Sequence, residues 1–585
     1  MRKTKILATL GPACNNVEIM KNMIESGLDA ARINCSHGTI ESRLEIVNNL
    51  KAAREATGKH IALLLDTKGP EIRTKTFVKG KAELKQGQTF TLTTQDIEGD
   101  DTRVAVSYEN LPSDLKVGSR VLFDDGLIEM KVTAIEGTEV ECILINSGVL
   151  GNRKGVNLPD VTVNLPSLTQ QDEDDIIFGI KEDFDYIAAS FVRNAGDVTA
   201  IRHILEKNGG SHLRIIAKIE SRDGVNNLDE ILEVADGIMV ARGDMGVELN
   251  PEEVPIVQKN MIKACNQAGK LVITATHMLE SMVDNPRPTR AEANDVANAV
   301  FDGTDVIMLS GETANGQYPV AAVAMMGRIA FAAEENPNYQ KEVVYKNVNK
   351  NVTNTMSHYG ASIAADLDAT CIVTITDSGF AARMASSARP VCPILAVTNS
   401  EQVCRQLNMS WGCVPVISPT KFGDAEDIFQ IAEDMALKAG LAKSGEPLVA
   451  LAGVPVGVAG TTNTIRVRIA GDVLVRGKGN NRGVVKGIAR VFTHDKNCDR
   501  ANFQPGDIII CTQTDDTMMP YLRKASALVV GSWEKVDVSH ANTVMSALEL
   551  PAITTKKERP IDRITTGSPV TVDTIEGLVI NGYRE

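Results

Sequence analysis

The sequence is poor in aromatic residues and has no excess of positive charge, and both shortages restrict its partners. Phe, Trp and Tyr make up 4% of the 585 residues, and 61 Lys and Arg stand against 75 Asp and Glu, which gives a net charge of −14. A nucleic-acid-binding surface needs clustered basic residues, commonly interleaved with aromatics. We therefore expect no nucleic-acid partner, and a small anionic ligand must find a local basic pocket.

Long apolar runs and paired cysteines are also missing. The sequence contains no stretch of about 18 apolar residues that could cross a membrane, and its start, MRKTKILATLGPACNN, has only a short apolar run that stops at Gly-Pro. The ten cysteines are scattered without a CxxC pair, which favours reduced thiols in so long a chain. The sequence thus predicts a cytoplasmic protein with no signal peptide and no membrane span.

The first 310 residues contain eight short β-rich runs, most of them separated by helix-like segments. This alternation is typical of βα units around a parallel sheet, and eight units predict a (β/α)8 TIM barrel. The step from Asp66 to Ser190 spans 124 residues, against about 30 for one unit, so about 95 residues are inserted at the face where barrel loops build active sites. The predicted strand ends are Ala8, Asn34, Asp66, Ser190, Lys218, Arg242, Ala275 and Leu309.

Changes of pattern along the chain predict four domains of an α/β protein. Residues 1–70 and 168–340 form the barrel, and residues 71–167, with short alternating strands and Gly turns, form an inserted β lid domain. Residues 341–473 repeat the alternation of strands and amphipathic helices, which predicts a second α/β domain. Residues 474–585 open with the Gly-rich RGKGNNRG and form an appended β-rich module.

Polar residues cluster where the predicted barrel strands end, and such ends converge on one mouth. Glu220 and Asp244 would then be hard oxygen ligands on neighbouring strands, a pair that suits Mg²⁺ with its retained waters. Arg32, Arg73 and Lys218 supply the positive charge that a phosphorylated substrate needs. The strand-end residues are Arg32, Asn34, Ser36, Asp66, Thr67, Lys218, Glu220, Arg242, Gly243, Asp244, Thr274 and Thr276.

Each of these features also has a structural explanation. Lys218 and Glu220 could form a solvated ion pair, Asp244 could serve a turn, and Asn34, Ser36 and Thr67 could cap helices. Their joint placement at strand ends favours a site.

Several long strings resemble the pyruvate kinase family over residues 1 to 473. They include RINCSHG, LDTKGPEIRT, KGVNLPD, AKIE, MVARGDMGVE, NPRPTRAEANDVANAVFDGTD and IMLSGETANGQYP. The resemblance implies transfer of phosphate from phosphoenolpyruvate to ADP, which gives ATP and an enolate that is protonated to pyruvate. A barrel lyase or aldolase acting on pyruvate enolate, and a catalytically silent phosphoenolpyruvate sensor, are the alternative functions.

The resemblance implies a role for each residue of the mouth. Lys218 and Arg32 would lie against the transferring phosphoryl group, and Glu220 and Asp244 would bind Mg²⁺ or Mn²⁺. Thr276 would line the face where the enolate is protonated. The backbone at Ala241, Arg242, Gly243 and Asp244 would hold the substrate carboxylate.

A potassium site and a nucleotide site are implied in the same way. The K⁺ ligands would be Asn34, Ser36, Asp66 and Thr67, and the nucleotide contacts Asn34, His37, Arg73 and Lys154. Glu71 in PEIR implies K⁺ dependence, because family members with Lys there carry a fixed positive charge instead. His277 departs from the usual Gln of this family and is expected to be a neighbour of the site, not a base.

The remaining domains imply regulation. The loop TITDSGFAARM resembles the family's effector loop, with Thr376, Ser378 and Gly379 as anion contacts for a phosphorylated metabolite. Family precedent implies a homotetramer. The last module resembles the phosphohistidine domain of phosphoenolpyruvate-utilising enzymes, but acidic neighbours before His540 favour a structural role over phosphotransfer there.

Overall fold

The structure is a computed structural model that describes most of the chain. The described residues are 1–336, 351–422, 425–443, 446–454, 462–471, 473–481, 483–493, 499–531, 539–556 and 558–583. The chain divides into two compact units, which are treated separately below. The first unit holds residues 1–366, 372–428 and 451–465, and the second holds residues 367–371, 429–450 and 466–585.

The chain begins with three parallel strands of a barrel and the helices between them. The strands are fully or mostly buried because their apolar residues face either the barrel interior or the surrounding helices. Asn16 caps the first helix and the left-handed Gly58 ends the second. These elements are β1 (Lys5–Thr9), α1 (Val17–Glu25), β2 (Ala30–Asn34), α2 (Ile40–Thr57) and β3 (Ala62–Asp66).

The segment inserted after β3 folds into short strands with a hydrophobic core of its own, which includes Phe90 and Phe123. Six strands pair in the order β11-β7-β8-β9-β5-β6, and β10 pairs with β4. The elements are β4 (Lys81–Leu84), β5 (Thr89–Thr93), β6 (Arg103–Ala105), α3 (Leu111–Asp114), β7 (Arg120–Phe123), β8 (Ile128–Glu136), β9 (Glu139–Leu144), β10 (Gly148–Gly151) and β11 (Val156–Asn157).

Five further parallel strands close the barrel. The strands and the helices that connect them are α4 (Gln170–Lys181), β12 (Tyr186–Ala189), α5 (Ala195–Lys207), β13 (Arg214–Ile219), α6 (Arg222–Asn226), α7 (Leu228–Val234), β14 (Gly237–Ala241), α8 (Arg242–Glu248), α9 (Val254–Ala268), β15 (Leu271–Ala275), α10 (Arg290–Phe301), β16 (Val306–Leu309), α11 (Gly311–Ala314) and α12 (Pro319–Glu334). The strands close in the order β1-β16-β15-β14-β13-β12-β3-β2, so the predicted (β/α)8 barrel is confirmed.

Along each barrel strand, successive side chains point alternately to the barrel interior and to the surrounding helices. Leu64, Ile216 and Met239 belong to the interior cluster, whereas Leu65 and Ala217 pack outward against the helices. By this alternation Arg214, Lys218 and Glu220 share the interior side of the β13 strand path with Ile216.

Three parallel strands pair next to one another in the first unit, in the order β19-β18-β17. Its elements are α13 (Val352–Asp366), β17 (Ile372–Ile375), α14 (Phe380–Ser387), β18 (Ile394–Thr398), α15 (Glu401–Leu407) and β19 (Cys413–Ile417). This part contacts the start of β12: the Tyr186 hydroxyl donates to the Gln406 carbonyl at 2.8 Å, and Arg405 pairs with the buried Asp185 at 2.9 Å. Trp411 belongs to the hydrophobic cluster that surrounds the barrel.

The remaining chain begins with α16 (Ala425–Lys438), β20 (Pro447–Gly453) and β21 (Thr462–Ile469). An eight-stranded mixed sheet lies wholly in the second unit, in the order β22-β29-β28-β24-β25-β26-β27-β23. Its elements are β22 (Val473–Arg476), β23 (Lys478–Asn480), β24 (Val484–Phe492), β25 (Ile508–Cys511), α17 (Met519–Leu522), β26 (Ala527–Gly531), α18 (Ser539–Leu548), β27 (Ala552–Thr555), α19 (Pro560–Arg563), β28 (Pro569–Asp573) and β29 (Leu578–Asn581).

The structure bears on two sequence-based expectations, one about membrane-spanning helices and one about the cysteines. Within the described ranges, no helix has both the length and the apolar character required to cross a bilayer. The nine cysteines in these ranges are free and buried. The domain boundaries stay predictions, and the one at residue 340 falls outside the described residues.

Candidate active site

Lys218 lies buried at the carboxyl end of β13 and is surrounded by oxygen atoms. Its Nζ is 3.1 Å from Asp66 Oδ1, 3.0 Å from Glu220 Oε1 and 2.7 Å from Ser190 Oγ, to which it donates. These partners come from the ends of β3, β12 and β13, so three strands position one ammonium group. Lys218 and Glu220 therefore form a buried pair, and the solvated ion pair considered from the sequence is excluded.

The charges of this cluster shift one another's pKa values. Burial lowers the pKa of Lys218, but Asp66 and Glu220 outweigh burial and raise it overall. Burial raises the pKa of Glu220, with the charge of Asp244 acting in the same direction and Lys218 opposing it. Burial opposes ionisation of Asp66 too, yet Arg32 and Lys218 hold its pKa below the usual value. The arrangement keeps Lys218 positive and Asp66 negative.

Arg32 adds a second cation to the same carboxylate. Its Nε donates to Asp66 Oδ2 at 2.6 Å and its Nη1 donates to Thr9 Oγ1 at 2.9 Å. The side chain is 11% exposed, while Asp66 is fully buried. Arg32 thus lies at the mouth with little freedom, as the sequence predicted.

Asp244 follows β14 in the first turn of α8, next to the Lys218 cluster. The strand register pairs Ile219 with Val240, one position before Glu220 and Ala241. Asp244 influences the pKa of both Lys218 and Glu220, so the carboxylates of Glu220 and Asp244 act on the same small volume.

The side chain of Arg242 is held by the end of β15 and by α10. Its guanidinium donates to the carbonyls of Ala275 and Thr276 and pairs with Asp295 at 2.7 Å. Only the backbone of Arg242 can therefore serve a substrate. The predicted strand end at this residue is one position late, since Arg242 opens α8.

Gly243 and Thr276 pack closely against each other. A Cβ at Gly243 would lie 2.9 Å from Thr276 Cγ2, which is too short for a normal contact. Thr276 and His277 have φ values of 70° and 56°, in the left-handed region that β-branched residues in particular avoid. Packing against Gly243 keeps this strained backbone close to the start of α8. The side chain of His277 is exposed.

The residues of the predicted potassium site lie at the adjacent ends of β2 and β3. The register pairs Asn34 with Asp66. Asn34 Oδ1 accepts from the Ser36 N–H at 3.0 Å, and Thr67 Oγ1 accepts from the Ser190 N–H at 3.1 Å. Both oxygens of Asp66 are engaged with the cations described above, so a bound ion would share this carboxylate with them.

A cavity of about 440 Å³ lies between the inserted domain and the barrel mouth. Its lining includes Glu71, Arg73, Lys154 and Asp244, but not His37. Arg73 pairs with Glu71 at 2.6 Å, and Lys154 pairs with Asp124 at 2.8 Å. His37, which is exposed on the loop after β2, lies apart from this lining.

Sequence reasoning missed three residues of the site. Ser190 Oγ accepts a hydrogen bond from Lys218 and donates one to Asp66 Oδ1 at 3.2 Å. The Phe191 N–H donates to Glu220 Oε2 at 2.6 Å. The signal for Ser190 was its position as a predicted strand end. Nothing in the sequence pointed to Asp124, whose ion pair with Lys154 depends on the fold of the inserted domain.

The donors at the mouth fit a hard divalent cation. The described part of the chain contains no group of three or more His, Cys, Asp or Glu side chains arranged for a metal ion. Glu220 and Asp244 are two carboxylates without softer neighbours, which matches a Mg²⁺ or Mn²⁺ ion that completes its shell with water and substrate oxygens.

The remaining predicted contacts lie elsewhere. Thr376 is buried, Ser378 is exposed, and Gly379 (φ 77°) precedes α14. His540, in the second unit, has Thr514 Oγ1 at 2.9 Å from Nδ1 and Asp516 Oδ1 at 3.3 Å from Nε2. The residues that precede Ser539 in the tail motif lie outside the described residues.

The fold and the mouth define an enzyme class: a (β/α)8-barrel enzyme that holds two cations and several carboxylates where an anionic substrate and a metal ion can meet. Family models describe the chain in three parts. They are pyruvate kinase, barrel domain, for residues 1–323, pyruvate kinase, alpha/beta domain, for residues 354–468, and PEP-utilising enzyme, mobile domain, for residues 503–577. The chain belongs to the pyruvate kinase family.

Known pyruvate kinases are similar in sequence to this chain over most or all of its length. A pyruvate kinase of Sporosarcina psychrophila is 45% identical over 588 residues, covering 100% of this chain and 99% of the relative. One of Clostridium acetobutylicum is 49% identical over 472 residues, covering 80% of this chain and all of the relative. The crystal structure of a pyruvate kinase from Cryptosporidium parvum has a TM-score of 0.76 at 40% identity, covering 80% of this chain and 96% of that chain.

The predicted activity is confirmed. The chain is a phosphotransferase that moves phosphate from phosphoenolpyruvate to ADP and gives pyruvate and ATP, the last step of glycolysis. The barrel lyase is thereby excluded.

Proposed function

We propose that Lys218, Arg32 and Thr276 carry this phosphoryl transfer in the present chain. The observation that supports the proposal is the burial of the Lys218 ammonium between Asp66 and Glu220 at the barrel mouth. A silent sensor would have no need to retain this cation beside two candidate metal ligands.

The residues act through position and charge. Phosphoryl transfer passes through a loose, metaphosphate-like state whose charge must be neutralised. Lys218 and Arg32 present fixed positive charge, and their shared partner Asp66 prevents them from moving apart. A Mg²⁺ or Mn²⁺ ion bound by Glu220 and Asp244 would supply further neutralisation of phosphate and enolate oxygens.

The backbone at the start of α8 is proposed to hold the substrate carboxylate. The N–H groups near Ala241, Arg242, Gly243 and Asp244 are the free donors of a first helical turn. Gly243 lets a ligand approach, and Thr276 packs against it on the side where the enolate would be protonated.

The monovalent ion and the nucleotide are proposed to bind at either side of Asp66. Asn34, Ser36, Asp66 and Thr67 offer an oxygen-only set that suits K⁺. The phosphates of ADP would meet Arg73 and Lys154 of the cavity, and Asn34 and His37, which lie outside the cavity lining, are proposed as further nucleotide contacts. Lys154 must leave Asp124 to reach them, so lid movement would accompany nucleotide binding.

Regulation and assembly complete the proposal. The loop with Thr376, Ser378 and Gly379 is proposed to bind a phosphorylated metabolite. The glycine-rich segment GVPVGVAGTTN, residues 453–463, could close over such a ligand by its sequence, and it lies largely outside the described residues. By its resemblance to the family we propose a cytoplasmic homotetramer.

The test compares Lys218→Met with a matched buried lysine. Lys5 also lies in a barrel strand and is 5% exposed, but its Nζ donates to the Cys413 carbonyl at the opposite end of the barrel. We expect Lys218→Met to lower kcat by at least about a thousandfold, because charge stabilisation of this kind is commonly the largest catalytic contribution. Folded Lys5→Met should keep kcat within about threefold.

Pyruvate formation from phosphoenolpyruvate and ADP, with Mg²⁺ and K⁺ present, is the readout. If folded Lys218→Met keeps wild-type turnover, the assignment is wrong. Equal losses in both variants would also contradict it, since they would reveal a general effect of removing a buried lysine.

A further inference from the structure

A second cavity lies at the opposite end of the barrel from the mouth. It has a volume of about 340 Å³ and lies between the starts of β12, β13 and β15 and the helices α13 and α14, all within the first unit. Small-molecule sites commonly measure about 300 to 1,000 Å³. The cavity is therefore large enough for a compact metabolite.

Positive charge predominates in its lining. Arg214 pairs with Asp236 at 3.0 Å and Arg389 pairs with Asp305 at 2.8 Å. Lys270 and Arg383 also line the cavity, and no described carboxylate lies within ion-pair distance of either. Among the residues that the structure describes, Lys270 Nζ donates only to the Ala235 carbonyl, at 2.7 Å. Two positive charges are thus left over for an anion.

Several of the guanidinium N–H groups have no acceptor. Arg383 Nη2 donates to the Ser378 carbonyl at 3.2 Å, while its buried Nη1 has no hydrogen-bond partner among the described residues. Arg389 is 7% exposed, and its Nε and Nη1 are unpartnered in the same way. Burying such donors without an acceptor destabilises the protein.

The electrostatics of Arg383 agree with this cost. Burial lowers the pKa of Arg383 to about 10, and the neighbouring Arg214 acts in the same direction. A bound oxyanion would stabilise such a buried arginine, because the anion accepts hydrogen bonds from the guanidinium and offsets its positive charge.

The rest of the lining includes apolar side chains among polar ones. Phe380 and Met384 of α14 and Leu271 of β15 provide carbon surface beside the cations. A ligand with one strongly anionic end and a compact carbon skeleton fits this combination. A free inorganic anion would leave the apolar side chains unused.

We propose that this cavity binds a small phosphate monoester, with its phosphate between Arg383 and Lys270. The site differs from the loop of Thr376, Ser378 and Gly379: that loop would offer hydroxyls and a helix terminus, whereas the cavity offers buried cations. The two meet at the Ser378 carbonyl, which accepts from Arg214 and Arg383, and at Gly379, beside which Arg383 Nη1 lies.

Calorimetry on the full-length protein tests the proposal without turnover. The probes are a hexose monophosphate and a nucleoside monophosphate, titrated without ADP or divalent metal. We expect at least one probe to bind the wild type, with affinity weakened at least about tenfold in Arg383→Met and in Lys270→Met. Lys263→Met, which removes an exposed lysine of α9 outside the cavity lining, should keep the affinity within about twofold.

Thermal unfolding without ligand adds a readout that a structural role would not give. Arg383→Met should melt at a higher temperature than the wild type, because it removes a buried cation without a partner. Should Arg383→Met fail to fold, Lys270→Met decides. The proposal is overturned if neither probe binds, or if binding is lost in Lys263→Met as well, or is kept in the folded cavity variants.

Discussion

Asp66 is the residue on which the cations of the active site converge. One carboxylate contacts Arg32 at 2.6 Å and Lys218 at 3.1 Å, and it lies beside Asn34 in the strand register. Its pKa is lowered by these two cations in spite of complete burial. A single residue thus links the two cations proposed for phosphoryl transfer to the proposed potassium site.

The role of Glu71 leads to a prediction about monovalent ions. We expect wild-type activity to fall at least about tenfold when choline replaces K⁺, because the transferred phosphoryl group then loses one neutralising charge. Glu71→Lys should stay active in choline, since its ammonium supplies that charge permanently. Steady-state assays in the two salts measure the effect.

The control is Glu71→Gln, which removes the carboxylate and the pair with Arg73 but adds no cation. It should remain dependent on K⁺. Equal wild-type activity in K⁺ and choline would disprove the dependence.

Gly243 leads to a second prediction. A methyl group at this position would approach Thr276 Cγ2 to 2.9 Å, whereas one at Gly246 of the same helix would meet nothing within 4 Å. We expect Gly243→Ala to lower kcat/KM for phosphoenolpyruvate by about a hundredfold, since small displacements at a site cost this much. Gly246→Ala should be close to wild type in the same kinetic assay.

Adding Thr276→Ser to Gly243→Ala removes the clashing methyl group and should restore part of the activity. No recovery in the double variant, with both proteins folded, would count against steric contact as the cause.

At the scale of elements, the barrel could be predicted because its strands are short apolar runs at regular spacing. All eight predicted ends lie within one residue of the observed ends, and Asn34, Asp66, Ala275 and Leu309 match them. The sequence could not show the rotamers that bring Ser190 to Lys218, nor the turn of the Arg242 side chain toward Asp295. These contacts depend on neighbours far away in the chain.

The contact between α15 and β12 carries a prediction about stability. Arg405 is the nearest cation to the fully buried Asp185, with Arg54 farther away at 3.8 Å. Arg405→Met should lower the free energy of unfolding by about 3 to 5 kcal/mol near neutral pH, because it leaves a buried carboxylate with a weaker partner. Urea unfolding of wild type and variant measures the loss.

The loss should shrink as the pH falls. Burial already raises the pKa of Asp185 to about 6, above its value in an unfolded chain, and removal of Arg405 raises it further. Protonation therefore favours the folded variant, and it becomes complete as the pH drops through the folded pKa. Arg405→Lys keeps the charge and should lose less; a loss that grows at low pH would contradict this account.

At the scale of the whole molecule, the eight-stranded sheet is continuous in sequence, and the second unit to which it belongs also holds residues 367–371 and 429–450. The sheet buries its own clusters around Ile509 and Ile510, and the Clostridium acetobutylicum relative is fully covered by an alignment of 472 residues. Truncation after Gly471, before β22, should leave kcat and KM within about threefold, as expected for a module that folds on its own.

Kinetics of the purified truncated protein, together with its circular dichroism, check this outcome. A folded truncation without activity would show that the module supports catalysis.

The order of the barrel strands has a consequence during protein synthesis. β1 pairs with β16, so Lys5 can pair with Val306 only after Val306 has left the ribosome. At roughly 5 to 20 residues per second this delay is on the order of 15 to 60 s. The nascent chain meanwhile exposes an apolar strand edge, and the inserted domain, whose strands are near neighbours, can fold first. We expect the unfinished chain to be a client of ribosome-associated chaperones.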